Sequence, residues 1–186
     1  MPFDHFDFIA SIYSRVEYAS FESMQSFADL PTGGWVLDAG GGTGRVASLV
    51  RDQAGGVVIA DPSLGMLRQA DGGRLSLACS NSEALPFPDE TFERVIMVDA
   101  LHHVAHQGAT ARELYRVLKR GGRIVIEEPD IRSWGVKLVA VAEKLLLMRS
   151  HFLAPEAIEG LFSFDNARTK IHVQESDAWI VIVKPR

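Results

Sequence analysis

The stretch from Val36 to Ala47 reads VLDAGGGTGRVA: an apolar run, an acid, four glycines within five residues, then a helix-like restart. Glycine at that density bares the backbone, either for a tight turn or for a close-lying ligand. Two well-known glycine loops fail here on spacing. A phosphate loop, G-x-x-x-x-G-K-[ST], would meet Ala39 at its first glycine and Arg45 and Val46 at its lysine and hydroxyl. A dinucleotide loop, G-x-G-x-x-G, begun at Gly40 and Gly42 meets Arg45 where the third glycine lets helix and strand pack closely. What remains is Asp38 followed at even spacing by Gly40, Gly42 and Gly44, or D-x-G-x-G-x-G.

Outward from the loop, strand and helix alternate. Residues 3–29 read as a helix with Phe6, Ile9, Tyr13 and Val16 on one face, ended by PTGG at 31–34. Strands are expected at 35–39, 56–61, 74–79, 92–100 and 123–128. Between them fall helices at 43–53, after Ser63 as N-cap, and at 107–119, with Gly121 and Gly122 as the stop of the last. Strands apolar on both faces and alternating with helices imply a parallel sheet covered on both sides. The tail differs: an apolar helix at 136–148 precedes ARTKIHVQ and AWIVIVK, whose short link ESD forces an antiparallel hairpin.

Composition bounds the class. The 186 residues are 47% hydrophobic and 23% charged, which suits one soluble globular domain over 1–186. A net charge of -5 offers no general attraction for nucleic acid. The single cysteine, Cys79, can form neither an internal disulfide nor a cysteine metal cluster, so a cytoplasmic setting is expected. MPFDHFDF has acids where a secretory signal wants bases, and no apolar run reaches the roughly eighteen residues that span a bilayer. No stable membrane insertion is expected.

The glycine spacing resembles motif I of the class I S-adenosylmethionine (SAM)-dependent methyltransferases. The likeness continues at Asp61 in VVIADPS, at NSEALPFPDETF (81–92) and at VDALHHV (98–104). The string at 81–92 is similar to a signature of the subgroup that contains the ubiquinone/menaquinone biosynthesis C-methyltransferases, with Asn81 where an Asp is common. The resemblance implies a Rossmann-like α/β fold, a seven-stranded mostly parallel sheet ending in an antiparallel hairpin with helices on both faces. It implies SAM as cofactor. Asp38 would lie near its ammonium group, Gly40, Gly42, Thr43 and Gly44 would seat its amino-acid end, and Asp61 would take the ribose hydroxyls. Pro62, Ser63 and Met66 would lie beside the adenosine, Asn81 and Ser82 would hold the adenine, and Asp99 and Leu101 would form cofactor wall. Leu85, Pro86, Phe87 and Pro88 would pack their loop down.

Methyl transfer from a sulfonium needs alignment above all, and a base only where the acceptor must lose a proton. No catalytic residue stands out. Tyr13, His103, Glu127 and Glu128 are candidates to contact an acceptor, and strand alternation should turn only one of the two glutamates toward the cleft. His102 and His106 are four apart, but with no glutamate completing a zinc motif no metal site is expected. Residues 1–30 would form a helical lid and 131–165 a short helical insertion. The expected activity is SAM-dependent methyl transfer to a small molecule, by a monomer or homodimer. Two alternatives stay open: a non-catalytic SAM-binding protein and a nicotinamide oxidoreductase.

Overall fold

The WVLDA run forms β1 (Trp35–Ala39), and it lies inside a seven-stranded sheet ordered β3-β2-β1-β4-β5-β7-β6. The computed structural model describes residues 20–70, 73, 75–145, 150–164 and 166–186. Most of the helix expected at 3–29, Tyr13 included, lies outside the described residues; its end is α1 (Phe21–Ala28). The strands β2 (Gly56–Asp61), β3 (Leu75–Cys79), β4 (Phe92–Val98) and β5 (Leu118–Pro129) run parallel to β1 through their shared ladders. The hairpin is β6 (Arg168–Gln174) and β7 (Asp177–Val183), with β7 antiparallel to both β5 and β6.

Consecutive strand residues explain why these runs are apolar throughout. Val36 and Val57 belong to one buried cluster, while their neighbours Leu37 and Val58 belong to another on the opposite face. On the first face lie residues of α1 and of α2 (Arg45–Val50), among them Met24, Val46 and Val50. A 3-10 turn, Arg51–Gln53, continues α2. On the second face lie Leu114 of α4 (Gln107–Val117) and Ile158, which belongs to a later helix, Pro155–Gly160. Between β2 and β3, α3 (Leu64–Leu67) opens as expected, with Ser63 Oγ accepting from Met66 N–H at 3.1 Å. After β5 come α5 (Trp134–Leu145) and then α6, the helix at Pro155–Gly160.

One boundary differs from expectation for a clear physical reason. The helix α4 ends at Val117, Leu118 is already extended at ψ 131, and Gly121 and Gly122 lie within β5. Phe92 pairs with Leu118 but Arg94 pairs with Arg123, so β5 bulges between them. Gly121 has φ +76 in that bulge, and a Cβ on Gly122 would come within 2.8 Å of Leu118 Cδ1. The glycines relieve a crowded bulge and do not stop a helix.

Thr110 on α4 is fully buried, and its Oγ1 has no hydrogen-bond partner among the described residues. Thr110→Val keeps the shape and removes an unpaired hydroxyl. It is expected to stabilise the fold by about 1 kcal/mol, or roughly 2–4 °C in Tm. A scanning-calorimetry melt checks this, and a lowered Tm would mean the hydroxyl is satisfied in solution.

The chain leaves β1 toward β2 on one side, and later enters β4 on the other side of β1. Such a switch in strand order opens a crevice at the carboxyl ends of the strands.

Candidate functional site

The glycine loop leaves β1 at that crevice. Gly40, Gly42 and Gly44 all have positive φ, at +72, +54 and +78. Gly44 caps α2, and a Cβ there would come within 2.8 Å of Ile59 Cδ1, so its bareness lets the helix start against β2. Gly42 is different. Its Cβ would meet nothing nearer than Asp61 Oδ2 and Met66 Sδ, both at 3.9 Å, and so would project into an open cavity.

Two buried carboxylates frame this loop. Asp61, at the end of β2, accepts from Gly42 N–H at 2.9 Å through Oδ2 and from Ser63 N–H at 2.8 Å through Oδ1. Asp38 is 1% exposed, and its Oδ2 accepts from Ala47 N–H at 3.1 Å. Burial pushes the Asp38 carboxyl up to about 7, and the negative charge of Asp61 adds to the rise. The Ala47 N–H and the Arg45 guanidinium pull the other way.

The cavity holds about 190 Å³, and it gathers most of the residues the sequence picked out. Asp38, Gly40, Gly42, Thr43, Asp61, Pro62, Ser63, Met66, Asn81, Ser82, Asp99 and His103 all line it. Asn81 is exposed at its rim, whereas Ser82 is buried. Gly44 lies outside the lining and serves the packing of α2. Leu101, expected as cofactor wall, is instead 1% exposed within the apolar core.

The two glutamates also depart from expectation. Neither lines the cavity, and both are buried, Glu127 at 4% and Glu128 at 3% exposure. Glu128 works from behind the cavity wall. Its Oε1 accepts from Ala100 N–H at 3.0 Å and Leu101 N–H at 2.7 Å, and its Oε2 lies 2.6 Å from His102 Nδ1. His102 in turn stacks on Phe152 with ring centroids 4.3 Å apart. The 3-10 turn Leu101–His103 sends its side chains three ways: Leu101 to the core, His102 to Glu128 and His103 to the cavity. His103 Nδ1 lies 3.3 Å from Ser150 Oγ. Burial lowers the His103 pKa to about 3, with His102 acting in the same direction, so the ring is neutral at ordinary pH.

The cavity has further walls that sequence reasoning missed. Arg45 and Glu83 line it, as do Val46, Val98, Ala100 and Val104. Arg45 Nη2 lies 3.4 Å from Asp99 Oδ2, and Asp99 itself holds φ +50 at the end of β4. Glu83 Oε1 accepts from Ala105 N–H at 3.1 Å and His106 N–H at 3.3 Å, tying the two rims together. The loop at 81–92 is held down by Leu85, which is buried, and Phe87, which meets Phe92 edge-on at 5.1 Å. Arg116 clasps it through Leu85 O and Phe87 O. Pro86 and Pro88, expected to pack, are exposed; with Leu85 and Phe87 turned inward, the residues after each face out.

A family model described as a methyltransferase domain matches residues 37–126. The ubiquinone/menaquinone biosynthesis C-methyltransferase UbiE of Xanthomonas oryzae pv. oryzae is 40% identical over the matched part, which covers 54% of this chain and 44% of that one. The chain thus spans less than half the length of that relative. Among solved structures, one from a complex between the Haloferax volcanii Trm112 methyltransferase activator and a methyltransferase superposes with a TM-score of 0.81 over all of both chains, at 18% identity. A SAM-dependent methyltransferase from Thermotoga maritima superposes at 0.78, covering 96% of this chain and 97% of that one, at 21% identity. At such identities the structural likeness is one of fold.

Proposed function

We propose that the chain carries a class I SAM-dependent methyltransferase domain related to the ubiquinone/menaquinone C-methyltransferases, and that it moves a methyl group from SAM to a small-molecule acceptor. One arrangement supports this above all. Asp38, Asp61 and Asn81, from the ends of three neighbouring strands, face one cavity whose floor is the bared backbone of Gly42.

These residues suit the cofactor. A carboxyl raised to about 7 by burial gains most from an added cation, so Asp38 would hold the ammonium of SAM. A carboxylate accepts about four hydrogen bonds, and Asp61 can serve a ribose diol besides its two backbone donors. Asn81 and Ser82 would meet the adenine, and Met66 would be an apolar wall beside it. When bound, SAM supplies an electrophilic methyl group on a sulfonium. The chain's part is then to orient the acceptor and exclude water.

Of the acceptor candidates, we favour His103. It is neutral and stands on the cavity wall beside Val98, Ala100 and Val104. Such a group orients a hydroxyl better than it stores a proton. The relative named above acts in ubiquinone/menaquinone biosynthesis, and an apolar wall with one hydrogen-bonding ring suits a flat hydroxylated ring as acceptor here too. We place the protein in the cytoplasm on the strength of its single cysteine, working without nucleic acid on the strength of its net charge of -5, and as a monomer or homodimer. Among the described residues no helix is long and apolar enough to cross a membrane.

Thermal melts with SAM, its demethylated product and NAD test the cofactor, and release of that product with 1,4-dihydroxynaphthalene tests transfer. SAM and its product should raise Tm and NAD should not; stabilisation by NAD alone would sink the proposal. Asn81→Asp is expected to leave SAM affinity equal or up to about tenfold tighter, since a charged acceptor replaces a neutral one. Titration calorimetry checks this, and a large loss would mean that residue 81 does not face the adenine.

A further inference from the structure

The three most exposed large apolar side chains among the described residues are Trp134 (79%), Leu138 (67%) and Val141 (57%), and all three stand on α5. Spacings of four and three residues put them on one helical face. Val136, two residues from either Trp134 or Leu138, is buried on the other side. Lys137 borders the stripe with its Nζ 5.5 Å from the centre of the Trp134 ring. The chain is acidic overall, yet the sequence of α5 carries Lys137 and Lys144 against Glu143 alone.

We propose that α5 docks on the surface of an anionic lipid bilayer. Tryptophan and aliphatic side chains enter the boundary between headgroups and acyl chains, and lysine reaches back to the headgroups. Twelve residues make a helix of about 18 Å, too short to cross roughly 30 Å of hydrocarbon, so α5 lies in the plane of the surface. The local excess of positive charge complements anionic headgroups. A second copy of the chain is a poorer occupant. Three side chains fall well short of the roughly 800 Å² that each partner buries in a standard interface. A self-contact over this stripe would also bury the Lys137 ammonium, which borders it. Docking has a use at the cavity. The chain reaches Ser150 soon after α5, and Ser150 Oγ touches His103 on the cavity wall. A bilayer under α5 would hold that wall close to sparingly soluble molecules.

Flotation of the full chain with phosphatidylcholine vesicles, alone or with about one third phosphatidylglycerol, tests the proposal. Binding to the anionic vesicles should exceed binding to neutral ones by at least about fivefold and fall as salt rises. Leu138→Glu, an exposed change that should leave the melt unaltered, should abolish flotation, and Lys137→Glu should weaken it on anionic vesicles only. Flotation of neither form, or equal flotation of wild type and Leu138→Glu, overturns the proposal. So does a dimer in light scattering that Leu138→Glu converts to monomer, since the stripe would then bind its own copy.

Discussion

Asp61→Ala is expected to weaken SAM binding by about 10- to 150-fold, the equivalent of losing charge-assisted hydrogen bonds worth about 1.5–3 kcal/mol. The effect has two sources. The ribose diol loses its acceptor, and the N–H groups of Gly42 and Ser63 lose the oxygens that hold the loop in shape. Asp61→Asn separates them: it keeps one acceptor oxygen, removes the charge, and should fall between wild type and alanine. Titration calorimetry on all three proteins gives the comparison. Alanine binding within twofold of wild type would take Asp61 out of the cofactor site.

The second large effect lies below neutral pH. With its carboxyl raised to about 7, Asp38 is about nine-tenths protonated at pH 6 in the free protein. An ammonium beside it favours the carboxylate, so cofactor binding should expel the proton. Affinity is therefore expected to be level above pH 7 and to fall by up to tenfold per pH unit below it. The consequence for folding has the sign of a raised carboxyl. Asp38 contributes stability fully below its ordinary 3.8, and this is lost as pH rises through about 7, where burial opposes the charge. Cofactor binding should restore it. Calorimetry at pH 6 in two buffers of different ionisation enthalpy counts the protons. Release of most of one proton is expected, and Asp38→Asn should abolish the release and flatten the pH dependence. Binding without proton release would show that Asp38 is already ionised.

The half of the cavity proposed above for the methyl donor was readable because its signals are local. Glycine spacing, the acid before it and the acid ending the next strand all lie on elements that run into one crevice. The other half depends on geometry that neighbouring letters do not encode. A 3-10 turn rotates about a third of a circle per residue, so Leu101 and His103 point to core and cavity although strand-like alternation would put them together. Glu127 and Glu128 defeat alternation for another reason: β5 is covered on both faces, so neither side is solvent. Gly121 and Gly122 misled because a helix stop and a strand bulge both call for glycine, here for the positive φ of Gly121 and for the crowding a Cβ on Gly122 would meet. Arg45 first appeared only as a missing glycine. Its pairing with Asp99 spans 54 residues, and no local pattern announces it.

The carboxylate of Glu128 leaves the cavity wall supported from outside the ligand space. Ala100, Leu101 and His102 are gripped from β5, while His103 and Val104 alone in that segment's second half face inward. On the function proposed above, support and selectivity are therefore written in different residues. Someone wishing to re-aim the enzyme at a new acceptor can vary two side chains and keep the hinge on which they hang.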